Sequence, residues 1–472
     1  MKNPETKRKD MKMTTRSFLR PLSLLTISAV VAGASWADAQ ERVKPPANAP
    51  ATVARNAAGR VSPPMGWNSY TGYGCSIPEK EMLRNIDAIS GRLLPFGYDT
   101  VAVDNGWFMD KPDGKVIFDE YGRPESSKYF FPNGLRNTID YAHKKGLKFG
   151  IWLIRGVNRR AVDQNLPIMG TSHRLQDIAD KKNLCGWNDF NYGVDMTKPG
   201  AQEYYDSMIR KYADMGVDFI KYDDIVPHPA EVDAVVKAIA KCGRKIVLSL
   251  SPGDDIKVEH SAAYKKANMV RITSDIWDNK GSLETAFKRW EDMQAYDGPK
   301  VGSWLDLDMV CFGRLSVTEN GGRDCQFTKD QKRTFMVQRA LAASPLMLGG
   351  VIYSMDDFSM SLFTHPDILR CNQNGVIGQL ANREGRIDVW KTPENGNEKN
   401  GWIGIFNRDG TKKMTIEKST KELGLNADRD YVLKDIWTQK TLPVSGKHRF
   451  EIPADGVAFL RYEQAEKKMR QQ

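Results

Sequence analysis

Side chains that can carry chemistry follow a series of short apolar segments between residues 61 and 310. Carboxylates, basic groups, tryptophans and small polar residues stand at the ends of five successive segments of this kind. The candidate site residues are Trp67, Asp104, Asn105, Trp152, Lys221, Asp223, Ser251, Arg271, Asp275 and Asp308.

This combination of side chains suits a sugar. Carboxylates accept hydrogen bonds from vicinal hydroxyls, and tryptophan covers the apolar face of a pyranose ring. Hydrolysis of a glycosidic bond needs two carboxyl groups, one that attacks or activates water and one that protonates the leaving oxygen. A cation keeps the first ionised, whereas burial keeps the second protonated. Lys221 and Arg271 are the candidate cations.

Each of these residues taken singly has a structural explanation. An aspartate after a buried strand is often a loop cap or a helix N-cap. A tryptophan is more often a core residue than a sugar platform, and Lys221 is spaced to pair with Asp223. Polar or aromatic residues at five successive strand ends are rarely a coincidence, and this recurrence favours a functional site over separate structural roles.

The elements around these residues alternate between strand and helix. Apolar or β-branched segments at residues 100–103, 148–153, 219–222, 246–250 and 269–272 predict buried strands, with amphipathic stretches between them. Such alternation over roughly 300 residues predicts a parallel (β/α)₈ TIM barrel, whose chemistry lies at the carboxyl ends of the strands. No Gly-x-Gly-x-x-Gly motif follows an early strand, which disfavours a dinucleotide-binding fold.

The pattern changes after about residue 380. Short strands separated by Gly, Asn and Asp turns predict a small C-terminal antiparallel β-sandwich. The expected organisation is a signal peptide at 1–39, a leader at 40–60, the barrel at 61–378, the sandwich at 379–465 and a tail at 466–472.

The N-terminus predicts export. A basic stretch precedes an apolar run at residues 22–34 and Ala37-Asp38-Ala39, the pattern of a secretory signal cleaved after Ala39. The run is short for a membrane span, so we expect a periplasmic protein with no membrane segment after cleavage. The net charge of +10 belongs to interleaved Lys, Arg, Asp and Glu, and no basic helix or nucleic-acid motif occurs. A carbohydrate is the expected partner.

The six cysteines do not have zinc-site spacing. Export makes disulfides possible. Cys311 and Cys325 flank a Gly-rich polar loop and are the first pair to test.

Several segments in order resemble glycoside hydrolase family 27, within the α-galactosidase clan. The resemblance covers about residues 61–465. Its motifs lie at residues 63–69, 103–107, 219–223, 271–275, 304–309, 340–348 and 366–374.

The resemblance implies roles for individual residues. Asp223 would be the nucleophile and Asp275 the general acid/base. The hydroxyl-binding residues would be Asp104, Lys221, Arg271 and Asp308, and the ring-pocket residues Trp67 and Trp152. Members of the family need no metal or organic cofactor, and they retain the anomeric configuration with carboxyl groups about 5 Å apart.

Three residues depart from the family pattern, and they leave the identity of the sugar undetermined. Asn105 stands where many members have a second Asp that grips the sugar. Ser251 stands where α-galactosidases have a Glu that recognises the second hydroxyl and where α-N-acetylgalactosaminidases have Ser. Ile225 replaces a frequent Cys, which removes a family disulfide.

Three functions are therefore compared. The leading hypothesis is release of terminal α-galactose. The alternatives are a related glycosidase for α-N-acetylgalactosamine, β-L-arabinopyranose or an α-glucan, and a silent sugar-binding protein. The presence of both Asp223 and Asp275 disfavours the silent binder.

Overall fold

The computed structural model describes residues 62–111, 114–253, 256–318, 321–442 and 446–465. The predicted signal peptide, leader and C-terminal tail lie outside the described residues.

The strands are, in chain order, β1 (Met65–Asn68), β2 (Thr100–Val103), β3 (Lys148–Ile154), β4 (Val157–Asn158), β5 (Ala179–Leu184), β6 (Asn191–Val194), β7 (Phe219–Asp223), β8 (Val247–Leu250), β9 (Met269–Arg271), β10 (Trp304–Asp306), β11 (Arg314–Leu315), β12 (Arg323–Asp324), β13 (Leu346–Leu348), β14 (Gln379–Glu384), β15 (Ile387–Glu394), β16 (Asn397–Asn407), β17 (Met414–Ser419), β18 (Tyr431–Asp435), β19 (Thr441–Leu442), β20 (Lys447–Ile452) and β21 (Val457–Gln464).

The α-helices are α1 (Tyr70–Tyr73), α2 (Glu79–Arg92), α3 (Leu135–Lys144), α4 (Arg159–Asp163), α5 (Leu175–Ile178), α6 (Ala201–Asp214), α7 (Pro229–Lys241), α8 (Ser261–Tyr264), α9 (Lys280–Met293), α10 (Lys329–Leu341), α11 (Asp357–Phe363) and α12 (Pro366–Gln373). Short 3₁₀ turns lie at Leu94–Phe96, Val258–His260, Gly298–Val301 and Ile352–Ser354.

Eight parallel strands form the barrel, in the order β1, β2, β3, β7, β8, β9, β10 and β13. β13 pairs with β1, and a parallel bridge between Val310 and Leu348 closes the gap after β10. Most of these strands are buried throughout because helices cover the outer face and side chains fill the inner one. The predicted TIM barrel is confirmed.

A sandwich of two antiparallel sheets follows the barrel. One sheet has six strands, in the order β14, β15, β16, β21, β18 and β19, and the other pairs β17 with β20. Trp290 of α9 stacks on Trp390 of β15 with ring centroids 3.7 Å apart. Arg408 of the sandwich pairs with Glu284 of α9, and Arg383 of β14 pairs with Glu291 of α9 at 2.7 Å, so a stacked pair and ion pairs join the sandwich to the barrel. The predicted β-sandwich is confirmed.

Two small elements of the barrel loops were not predicted. A three-stranded sheet of β4, β6 and β5 follows β3, and a two-residue ladder pairs β11 with β12. The second element lies between Cys311 and Cys325, which the structure holds as separate thiols, so the expected disulfide is absent. Burial raises the pKa of Cys325 to about 11, so this sulfur stays protonated.

None of the helices in the part of the chain that the structure describes has the length and apolar character of a membrane-spanning helix.

Candidate active site

A cavity of about 460 Å³ opens at the carboxyl ends of the barrel strands. Its wall is formed by Tyr70, Asp104, Asn105, Trp152, Trp187, Lys221, Asp223, Pro252, Arg271, Ser274 and Asp275.

The floor of the cavity is an ion pair between two strands far apart in sequence. Asp104 directly follows β2, and Lys221 of β7 donates to its Oδ2 at 2.9 Å. Asn68, at the end of β1, donates to the same oxygen at 2.7 Å. Desolvation disfavours the charged lysine, but the carboxylates of Asp104 and Asp223 outweigh it and raise the pKa of Lys221. A permanent cation therefore faces the cavity beside Asp104.

Asp223 ends β7 two residues after Lys221, so both side chains point to the barrel interior. The indole N–H of Trp152 donates to Asp223 Oδ2 at 2.9 Å. The backbone N–H of Asp224 donates to Asp223 Oδ1 at 3.2 Å. These two donors hold the carboxyl group of Asp223 in one orientation.

Asp275 lies on the opposite side of the charge network. Arg271 ends β9 and contacts Asp275 Oδ1 at 2.9 Å, and its other nitrogen lies 3.5 Å from Asp308. Burial raises the pKa of Asp275, the negative charges of Asp308 and Asp223 add to this, and Arg271 opposes it. The carboxyl group of Asp275 is thus biased towards its protonated form.

The cavity therefore pairs an oriented carboxylate with a carboxyl group of raised pKa. Such a pair is what a double displacement at an anomeric carbon requires. The structure brings seven of the predicted site residues together on the wall of this cavity: Asp104, Asn105, Trp152, Lys221, Asp223, Arg271 and Asp275.

Trp67 does not lie where the ring-pocket prediction puts it. It is fully buried, its indole N–H donates to the Gly350 carbonyl at 2.8 Å, and its ring packs edge-on against Tyr73. The aromatic side chain on this wall is instead Tyr70, three residues later at the start of α1. Trp67 is the third residue of β1, and it alternates with Asn68, whose side chain faces the barrel interior, so the indole points to the other face of the strand. The segment after the strand reaches the cavity wall instead.

Ser251 and Asp308, two of the predicted sugar contacts, are not among the residues of this wall. Both line a small adjoining space of about 20 Å³ inside the barrel, which shares Lys221 and Arg271 with the cavity. Asp308 accepts from the Ile276 backbone N–H at 2.8 Å and thereby holds the segment that carries Asp275. Pro252 takes the place on the wall that was expected for Ser251.

Four wall residues were missed by the sequence reasoning: Tyr70, Trp187, Pro252 and Ser274. Tyr70 and Ser274 lie close in the sequence to predicted site residues, and this closeness could have identified them as candidates. Trp187 lies in the unpredicted loop between β5 and β6 and gives no such signal.

Asp306 predicts an unusual pH dependence of stability. Burial raises its pKa to about 7, and the neighbouring Asp308 adds to this. An unfolded aspartate titrates near 3.9, so between pH 4 and 7 the folded state binds more protons than the unfolded state. The contribution of Asp306 to stability is therefore fully present below pH 4. As pH rises from 4 to 7, this contribution is lost, and the free energy of unfolding falls by about 1.4 kcal/mol per pH unit.

Asp306→Asn is expected to flatten that slope, because the amide is neutral at every pH and its oxygen still accepts from the Asp308 N–H. The measurement is the urea unfolding free energy at pH 5 and pH 8. Asp324→Asn, at an 83% exposed side chain, is the control. An unchanged slope in Asp306→Asn would contradict the assignment.

Within the described ranges, no group of three or more His, Cys, Asp or Glu side chains is arranged to hold a metal ion.

Comparison with known proteins gives consistent matches over both domains. A family profile described as alpha galactosidase A matches residues 163–374, and one described as the alpha galactosidase C-terminal beta sandwich domain matches residues 384–462. Alpha-galactosidase 2 of Arabidopsis thaliana is 28% identical over 390 residues, which is 81% of this chain and 84% of that protein.

A similar solved structure is a GH27 β-L-arabinopyranosidase from Geobacillus stearothermophilus. It is 37% identical, the match covers 86% of this chain and 97% of that one, and the TM-score is 0.80. A variant of the same enzyme, 36% identical with the same TM-score, was solved in complex with arabinose; that match covers 86% of this chain and 98% of the variant.

Proposed function

This chain belongs to glycoside hydrolase family 27, and we propose that it releases a terminal sugar with the ring configuration of galactose, with retention at the anomeric carbon. The observation that carries the proposal is the shared cavity of Asp223 and Asp275, one oriented by two N–H donors and the other of raised pKa.

The first chemical step forms a covalent intermediate. A carboxylate oxygen of Asp223 bonds to the anomeric carbon while the bond from that carbon to the leaving oxygen breaks. Asp275 gives its proton to the leaving oxygen, so the aglycone departs as a neutral alcohol. The Asp275 carboxylate that results is stabilised by Arg271 at 2.9 Å.

The second step reverses the first with water. Asp275 takes a proton from a water molecule, whose oxygen bonds to the anomeric carbon as the ester bond to Asp223 breaks. Asp223 returns to its ionised form and Asp275 to its protonated form. Two inversions at one carbon leave the configuration unchanged.

The cavity floor supports recognition of vicinal hydroxyls. Asp104 is 1% exposed and keeps its position through Lys221 and Asn68, so its carboxylate is a fixed acceptor. Lys221 supplies donors beside it. Fixed, buried acceptors and donors of this kind bind hydroxyl pairs with little loss of side-chain freedom.

An α-D-galactopyranoside is the first candidate substrate and a β-L-arabinopyranoside is the second. The two sugars share the ring configuration, but the pentose lacks the exocyclic hydroxymethyl group. Asn105 favours the second candidate because a neutral amide takes the place of an aspartate, and the solved relative of 37% identity is named for that activity. The Oδ1 of Asn105 is buried and has no hydrogen-bond partner among the described residues.

A panel of nitrophenyl glycosides tests the proposal. The α-galactoside and the β-L-arabinopyranoside are expected to have the highest kcat/KM, above the α-N-acetylgalactosaminide and the α-glucoside. Asn105→Asp is expected to raise the ratio of galactoside to arabinopyranoside kcat/KM about tenfold, because a charged acceptor binds the extra hydroxyl more strongly.

Asn400→Asp is the matched control, since its Oδ1 is also buried without a partner but it lies in β16 of the sandwich. Preference for the α-N-acetylgalactosaminide or the α-glucoside would overturn the sugar assignment. Sugar binding without hydrolysis of any member of the panel would favour the silent binding protein.

We also propose that the protein is exported, on the strength of the basic and apolar pattern of residues 1–39. Cell fractionation with N-terminal sequencing of the exported product tests cleavage after Ala39.

A further inference from the structure

Trp187 is an exposed indole on the wall of the catalytic cavity. Its exposed fraction is 53%, whereas Trp67, Trp107, Trp152 and Trp304 are each at most 1% exposed. The ring is part of the cavity lining. An indole this exposed does not contribute the hydrophobic stabilisation that the buried tryptophans of the fold contribute.

The loop that carries Trp187 is anchored at both sides of the indole. The Cys185 thiol donates to the carboxylate of Asp224, the residue after the proposed nucleophile. Asn188 Oδ1 accepts from the Phe190 backbone N–H at 2.8 Å. Phe190 packs edge-on against Phe108, whose ring in turn stacks on Trp152 with centroids 5.9 Å apart. The loop is therefore anchored on both sides of the indole.

The exposed fractions of the cavity's carboxyl groups indicate where the cleaved sugar lies and where the leaving group lies. Asp104 is 1% exposed and Asp223 is 7% exposed, whereas the Asp275 side chain is 49% exposed. The sugar that is attacked must contact Asp223, and the leaving oxygen must contact Asp275. The leaving group therefore extends towards the open part of the cavity, and Trp187 is likewise an exposed part of the cavity lining.

We propose that Trp187 is the platform of a leaving-group subsite that binds a second sugar ring. This inference rests on the proposed function. An indole stacks on the apolar C–H face of a pyranose, and this is the contact that an exposed tryptophan on the wall of a sugar site offers. The substrate class is accordingly an oligosaccharide or a glycan side chain, in which the cleaved unit is linked to another sugar.

Three substrates with the same cleaved unit test this proposal. They are a disaccharide, a nitrophenyl glycoside and a glycosyl fluoride, whose leaving group has no ring. Trp187→Ala is expected to lower kcat/KM for the disaccharide about tenfold and to change it less than twofold for the fluoride. Trp187→Phe keeps a flat ring and is expected to retain most of the disaccharide activity.

Tyr129→Ala is the matched control, because Tyr129 is an aromatic residue of 64% exposure that does not line the cavity. Its kcat/KM is expected to equal that of the wild type on all three substrates. Added free sugar as acceptor gives a second measurement. The wild type is expected to transfer the glycosyl unit to it, and Trp187→Ala is expected to do so about tenfold less efficiently.

Equal loss on the disaccharide and the fluoride would overturn the proposal, because Trp187 would then act on the catalytic centre or the fold. A larger loss on the nitrophenyl glycoside than on the disaccharide would overturn the sugar occupant in favour of an aryl group. Failure of the wild type to cleave any of the three would instead contradict the proposed function.

Discussion

Asp223→Asn is expected to lower kcat by about 10⁴-fold or more while the barrel stays folded. The amide has nearly the shape of the carboxylate but is a far weaker nucleophile, so the glycosyl ester does not form. In the wild type, two N–H groups donate to the two carboxylate oxygens. Asparagine has one acceptor oxygen, so one of these hydrogen bonds is lost, and we expect a drop in the free energy of unfolding of about 1 kcal/mol.

The measurement is single-turnover and steady-state hydrolysis of an activated aryl glycoside, with thermal unfolding run in parallel. The control is Asp224→Asn, because this neighbouring carboxylate points away from the cavity. Arg155 donates to Asp224 Oδ2 at 2.7 Å, and the same arginine donates to Glu231 at 2.9 Å. Asp224→Asn should thus keep measurable turnover. If Asp224→Asn were inactive and Asp223→Asn active, the proposed nucleophile would be wrong.

Asp275→Ala is expected to separate substrates by the quality of their leaving group. A sugar leaving group needs a proton in the first step, so kcat/KM should fall about 10²- to 10⁴-fold for a disaccharide. A dinitrophenolate departs without a proton, so glycosylation by the activated substrate should be much less affected. The second step then lacks its base and becomes rate-limiting.

Azide restores this second step because it is already an anion and needs no base. We expect added azide to raise kcat of Asp275→Ala on the activated substrate and to yield a glycosyl azide of retained configuration. Equal losses on both substrates with no effect of azide would contradict the acid/base role.

The pH profile gives an independent check on Asp275. Burial and the negative charges of Asp308 and Asp223 raise the pKa of this carboxyl. Because the first step needs the protonated form, kcat/KM should fall as pH rises through that pKa. In Asp275→Ala, this alkaline fall should disappear for the activated substrate. Arg271 opposes the shift, and its 2.9 Å contact stabilises the ionised form that the second step uses.

The strand ends were predictable because buried strands have a local signature. Residues 100–103 and 219–222 were expected as strands, and the structure has Thr100–Val103 and Phe219–Asp223. Parallel strands bring their carboxyl ends to one edge, so aspartates at those ends had to converge. The ion pair of Asp104 and Lys221, 117 residues apart, follows from that rule.

The family, the barrel with its sandwich, and the carboxylates that share the cavity were thus determined by the amino-acid sequence itself. Apolar segments of strand length and motifs in a fixed order are properties of the local sequence, so they can be recognised before the tertiary structure is known. Even the departure at Asn105 could be read in advance, because residues 103–107 resemble the family's second-strand motif.

Only the tertiary structure decided which neighbours face the substrate. Tyr70 rather than Trp67, and Pro252 rather than Ser251, line the cavity, because side-chain direction where a strand becomes a loop depends on backbone angles that composition does not specify. Asp308 has a φ of 69° and turns below the cavity. Trp187 reaches the cavity on a loop of an inserted sheet, and the contacts of that loop with Phe108 and Asp224 are long-range contacts that no local pattern encodes.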